Sequence, residues 1–302
     1  MKEEFFATRH ATPERNKTAT DPASKEYPDL TVGGVEQAKE KARTEVLKLI
    51  PDAPPGAVIL IGATSDQPRT KQTAKIYGDE LARLQSEKAD ETLLVLTKDE
   101  IEKLGNAPAQ EHGLEKKGFA AIAQAVRSIE KVIRENPEKK VVVDYPLMVR
   151  ELAYKYNNRW TTTDGKKTSY FTEILKKHGN NHEEAGKDWI ANQGRLELSD
   201  GRVLHGPTPE DVAREYLHGV KRLKDFAQKY TGGRPLIVGE VGHQWDIDAL
   251  VTYLGSGGTV DRETFEEITG GTIAGETEMT EFKIGSNTIE VKYRGKTFTV
   301  VE

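Results

Sequence analysis

Two histidines and two arginines sit where apolar segments of the chain end, and together they could hold a tetrahedral anion and attack it. Thr8-Arg9-His10-Ala11 closes the apolar run that begins at Phe5. Gly62-Ala63-Thr64-Ser65-Asp66-Gln67-Pro68-Arg69 follows Ala57–Ile61 and leads into Thr70-Lys71-Gln72-Thr73-Ala74, which starts a helix. Arg69 thus falls at a helix N-terminus, where free N–H groups and the dipole favour an anion. Gly239-Glu240-Val241-Gly242-His243 follows Pro235–Val238, and Glu151 comes shortly after Val141–Val143. Imidazole is a usable nucleophile near neutral pH. Guanidinium–phosphate contacts are charge-assisted and can be bidentate, and a carboxyl group can pass a proton to a leaving oxygen. Arg9, His10, Arg69, Glu151 and His243 therefore read as a phosphate pocket with a nucleophile and an acid.

Such a pocket needs elements that bring distant segments to one edge. Four short, continuous apolar runs (Phe5–Thr8, Ala57–Ile61, Val141–Val143 and Pro235–Val238) read as strands of a sheet covered on both faces. Helical stripes alternate with them: Val35, Ala38, Ala42, Val46 and Leu49; then Phe119, Ile122, Val126, Ile129 and Ile133; then Val212, Tyr216, Val220, Leu223 and Tyr230. Thr208 is the expected N-cap of the third, with Pro209 in its first turn. The alternation predicts an α/β fold, a three-layer α/β/α sandwich on a mostly parallel central sheet. In an open sheet of that kind ligands bind outside the carboxyl ends of the strands, where the chemistry-bearing residues fall. Glu281–Ile284, Ile289–Tyr293 and Phe298–Val301, separated by turns, read as a C-terminal β meander over residues 276–302. A single domain over residues 1–302 is expected, with residues 85–140 and 154–206 as inserted cap segments.

The motifs resemble those of the histidine phosphatase (phosphoglycerate mutase-like) superfamily, in its branch of small phosphatases and cofactor-dependent mutases. Thr8-Arg9-His10 matches the arginine–histidine signature, with Asn16 six residues on. Leu30-Thr31-x-x-Gly34-x-x-Gln37-Ala38 is similar to the family's "LTxxGxxQA" helix start, and Ser65-Asp66-x-x-Arg69-Thr70-x-Gln72-Thr73-Ala74 to its second-arginine segment. Arg150-Glu151-Leu152, Pro209-Glu210-Asp211-Val212 with Arg214, and Gly242-His243 follow in family order. The resemblance implies that His10 becomes phosphohistidine, that Arg9, Arg69 and His243 hold the phosphate oxygens with Asn16 assisting, and that Glu151 is the acid and then the base. It implies a hydrolase acting on a small phosphorylated substrate, with neither cofactor nor metal. Ala11 and Thr12 stand where glycine and an acidic residue are commoner, and Gln244-Trp245-Asp246 replaces the familiar glycines. The stretch from Arg69 to Glu151 is long, which leaves Glu102 and Glu111 as alternative acids. Glu151-Leu152-Ala153-Tyr154-Lys155 departs from the mutase pattern. A mutase-type phosphotransferase and a catalytically weak phosphate-binding regulator remain the other readings.

Composition bounds the rest. The 302 residues carry 44 basic and 49 acidic side chains, a net charge of −5, which excludes the basic footprint of a nucleic-acid binder. With no cysteine there is no disulfide, thiol nucleophile or Cys-bound zinc. No membrane span and no signal-like h-region is present, so a cytoplasmic protein is expected; the oligomeric state is not legible. His178 and His182 beside Glu183 and Glu184 have the spacing of a metal corner, but Gly179-Asn180-Asn181 favours a solvated loop there. Trp160, Tyr170, Phe171 and Trp189 read as the small core of a cap. Lys166-Lys167 and Lys176-Lys177 read as solvated faces.

Overall fold

In the computed structural model, residues 3–14, 22–64, 67–97, 99–101, 103, 127–144, 160, 169–285 and 287–301 are described. An eight-stranded sheet runs in the order β10-β9-β8-β1-β7-β2-β4-β3. Its parallel part comprises β1 (Glu3–Arg9), β7 (Leu236–Gly242), β2 (Val58–Ala63), β4 (Lys140–Asp144) and β3 (Leu93–Leu96). The strands β8 (Met279–Ile284), β9 (Thr288–Tyr293) and β10 (Lys296–Val301) extend it beyond β1 as antiparallel pairs.

The strands are apolar on both faces because successive residues enter different cores. Val58 and Leu60 of β2 pack with Tyr216, Val220, Ile247, Leu250 and Leu254. Ile59 and Ile61, one residue out of phase, pack with Val35, Ala38, Ile76, Tyr77 and Leu81. The first group of partners lies on α6 (Pro209–Thr231) and α7 (Gln244–Gly255), the second on α1 (Val32–Lys41) and α3 (Pro68–Lys88). The result is a three-layer α/β/α sandwich. Residues 42–46 form a π-helical turn between α1 and α2 (Leu47–Asp52) that keeps Ala42 and Val46 buried. Thr208 caps α6, its side chain accepting from the Asp211 N–H at 3.1 Å.

A fifth parallel strand, β3, lies within residues 85–140, the stretch expected as an insertion. Leu93, Val95 and Leu96 are buried against the sheet, and residues 127–135 form a helix whose Ile129 and Ile133 join the α6/α7 core. The described parts of that stretch therefore contribute to the central layers. Within residues 154–206, α4 (Tyr170–Lys177), α5 (His182–Ala191) and the hairpin β5 (Arg195–Glu197) and β6 (Val203–His205) enclose a third core. Trp160, Tyr170, Ile174, Trp189, Leu196 and Leu204 pack there with Trp245 and with Phe265 of α8 (Arg262–Thr269). Among the described residues no helix is long and apolar enough to cross a membrane.

Candidate active site

Pairing in the sheet aligns the carboxyl ends of β1, β7 and β2. Arg9 lies opposite Gly242, and Ala63 opposite Val241. The His10 N–H donates to the Gly242 carbonyl at 3.1 Å, prolonging the register by one residue. His243 follows β7 directly and is the N-cap residue of α7. The two imidazoles meet edge to face, with ring centroids 5.5 Å apart.

The surroundings of His10 fix its tautomer. Its Nδ1 is 2.8 Å from the carbonyl oxygen of Ala11. A carbonyl only accepts, so Nδ1 carries the hydrogen and Nε2 holds the lone pair. The Nε–H of Arg69, in the first turn of α3, donates to that Nε2 at 3.0 Å. Thr73, one turn further along α3, joins the two loops: its hydroxyl donates to the Arg69 carbonyl at 2.9 Å and accepts from the Ala11 N–H at 3.1 Å. His10 is 6% exposed. Burial, followed by the Arg69 charge, pushes its pKa down to about 3, against the pull of the Ala11 hydrogen bond. Burial, followed by His10, Arg69 and Arg9, likewise lowers the pKa of His243. Both imidazoles are therefore neutral at physiological pH.

Arg9 lies within electrostatic reach of both imidazoles and is held by the loop before β8. Its guanidinium donates to the Ala274 carbonyl at 2.8 Å and pairs with Glu276 at 3.5 Å. The Ala274 N–H in turn donates to the buried Asp248 carboxyl at 2.9 Å. Burial pushes the Asp248 pKa well up. The Thr12 hydroxyl donates its one hydrogen to the other Glu276 oxygen, and the Thr12 N–H donates to the Gln37 side-chain oxygen at 3.4 Å. The Leu30–Ala38 motif thereby gains a physical role, bracing the segment after His10. The Thr31 N–H donates to the Thr12 carbonyl at 3.1 Å, and the Thr31 side chain caps α1. Gly34 is required because a Cβ there would lie 2.5 Å from the Thr12 carbonyl oxygen.

The structure thus gathers Arg9, His10, Arg69 and His243. Asn16 and Glu151 lie outside the described residues, as do Glu102 and Glu111. His178 and His182, expected in a solvated loop, fall in two separate surroundings, and His182 begins a helix. His178 Nε2 lies 2.8 Å from the Asp188 carboxylate, at the end of α4. His182, the first residue of α5, lies within electrostatic reach of Arg9 and Arg69, and burial followed by those two charges lowers its pKa. The Trp245 indole N–H, two residues after His243, donates to the His182 carbonyl at 3.0 Å and ties α5 to α7. Asn181 accepts from the Glu183 and Glu184 N–H groups. Asn181 with Glu184 three residues on is the helix-start signature that could have been read from the sequence. Glu276 had no such signal.

No family model matches this chain, and no curated protein matches it. Solved structures do. The chain is similar to a mycobacterial glucosyl-3-phosphoglycerate phosphatase at 13% identity, covering 99% of this chain and 97% of that one, with a TM-score of 0.40. The complex of that phosphatase with inorganic phosphate matches at 15% identity over 93% of this chain and 89% of that one, with a TM-score of 0.34. A phosphoglycerate mutase from Bacillus anthracis matches at 12% identity over 100% of this chain and 92% of that one, with a TM-score of 0.36.

Proposed function

We propose that this chain is a histidine-phosphatase-type enzyme that hydrolyses a small phosphate monoester through a phosphohistidine on His10. The observation that carries this reading is the state of His10. It is buried and neutral, with its Nδ1 hydrogen committed to Ala11 and its Nε2 lone pair facing the Arg69 guanidinium. For in-line attack the Arg69 Nε–H passes from this lone pair to an oxygen of the incoming phosphate, which frees Nε2 beside a cation that now holds the anion. His10 Nε2 bonds to phosphorus as the ester P–O bond breaks, and the electron pair leaves on the ester oxygen. Glu151 supplies that oxygen with a proton, then takes one from the water that attacks the phosphohistidine and releases inorganic phosphate. Arg69, Arg9 and His243 hold the phosphoryl oxygens, with Asn16 assisting, so protein cations provide the charge that a metal would otherwise supply. The helix α5, tied to α7 by the Trp245–His182 hydrogen bond, is a described part of the expected cap that would bound the leaving-group side.

Hydrolysis of p-nitrophenyl phosphate in the presence of EDTA tests this reading. Wild-type protein should turn over and His10→Ala should not. Full activity in His10→Ala overturns the nucleophile, and transfer of phosphate between the hydroxyls of a glycerate would make the protein a mutase.

A further inference from the structure

Glu276 is a carboxylate placed on the arginine that would receive the phosphate group. Its Oε1 lies 3.5 Å from the Arg9 guanidinium, its other oxygen accepts from the Thr12 hydroxyl, and its backbone carbonyl accepts from the Gln37 side chain at 3.3 Å. It is thus fixed to both sides of His10 in sequence, at Arg9 and Thr12. Nearby Glu278 is bound elsewhere, to Arg294 and to the Gly275 N–H at 2.7 Å. Arg9 keeps one donor in reserve: its Nε–H is buried and has no partner among the described residues.

The charge count then decides what Glu276 does. With both imidazoles neutral, Arg9 and Arg69 are the two cations gathered at His10 among the described residues, and Glu276 is the carboxylate paired directly with one of them, while Asp248, Glu278 and Glu183 act on Arg9 without pairing with it. A phosphate dianion that reaches Arg9 must share it with a carboxylate a few ångströms away, where like charges repel strongly. In the loose transition state of phosphoryl transfer, negative charge moves off the phosphoryl group toward the leaving oxygen. Glu276 therefore opposes the bound ester and the product phosphate more than it opposes the transition state, and such a difference appears in turnover.

Resting on the phosphatase reading above, we infer that Glu276 tunes the affinity of this site for phosphate dianions. By sharing Arg9 with the phosphate group it weakens the hold on phosphate dianions, so that product leaves and transfer proceeds.

The test compares the full-length wild-type chain with Glu276→Gln, which keeps an acceptor for Arg9 and removes the charge. The inhibition constant for inorganic phosphate should fall at least tenfold in Glu276→Gln, and KM and kcat for p-nitrophenyl phosphate should fall together. A higher inhibition constant would mean that Glu276 only orients Arg9, and either that or an unchanged constant overturns the inference. If Glu276→Gln does not fold by thermal melting, Glu276→Ala and the charge-retaining Glu276→Asp replace it. The inference then requires tighter phosphate binding in the first and wild-type binding in the second, and the reverse overturns it. A wild-type chain that neither cleaves the ester nor binds phosphate overturns the phosphatase reading itself, before any variant is compared.

Discussion

Replacing His10 by glutamine should change how the stability of the protein depends on pH, because a buried neutral imidazole makes acid destabilising. The His10 pKa is near 3 in the folded chain against an ordinary 6.5, pushed down first by burial and then by Arg69. Between those two values the unfolded chain binds more protons than the folded one. The contribution is intact above about pH 6.5 and is lost as the pH falls toward 3. The shift corresponds to a loss of about 2 kcal/mol between pH 7 and pH 5 and about 4 kcal/mol by pH 3. Glutamine has no such titration. Urea unfolding of both proteins at pH 7, 6 and 5 measures the effect, since other titrating groups are common to the pair. The wild-type advantage over His10→Gln should shrink by about 2 kcal/mol across that range. A gap that stays constant with pH would refute the reasoning, because His10 would then titrate alike in the folded and unfolded chains.

Asp246 gives the opposite sign. Burial, followed by Glu215, raises its pKa from 3.8 to about 7, so its contribution is present at low pH and is lost as the pH rises through 7. Asp246→Asn should gain about 3 kcal/mol relative to wild type between pH 5 and pH 8.5 in the same unfolding assay. Gly239→Ala should destabilise the fold by about 1–3 kcal/mol or more, because the added Cβ would meet the Phe6 ring at 2.0 Å in the middle of the sheet; a melting curve reads this directly. Arg69→Met should lower kcat/KM for p-nitrophenyl phosphate roughly a hundredfold. It should also raise the His10 pKa, which imidazole NMR titration would follow.

The central sheet was legible because its strands are buried on both faces and show as unbroken apolar runs. In a parallel sheet the residues after each run must share one edge, and that places His10, Arg69 and His243 together. β3 was passed over because Leu93–Leu96 is only 4 residues long and is preceded by charged residues, although its continuous apolar pattern is that of the other strands. His182 reaches the site from α5, whose start was obscured by Gly179-Asn180-Asn181. Glu276 was not legible. It meets Arg9 from 267 positions away, from a loop whose conformation depends on Asp248 and Arg294 rather than on any local periodicity. The side-chain partners of a loop carboxylate are set by tertiary contacts, and no spacing rule encodes them.

The most direct test of the account is to find where phosphorus is bonded during turnover. Wild-type protein mixed with labelled substrate, quenched in alkaline denaturant to preserve an N–P bond and mapped by mass spectrometry, should carry the label on His10. Label on His243, on a carboxylate, or undiminished in His10→Ala would contradict it.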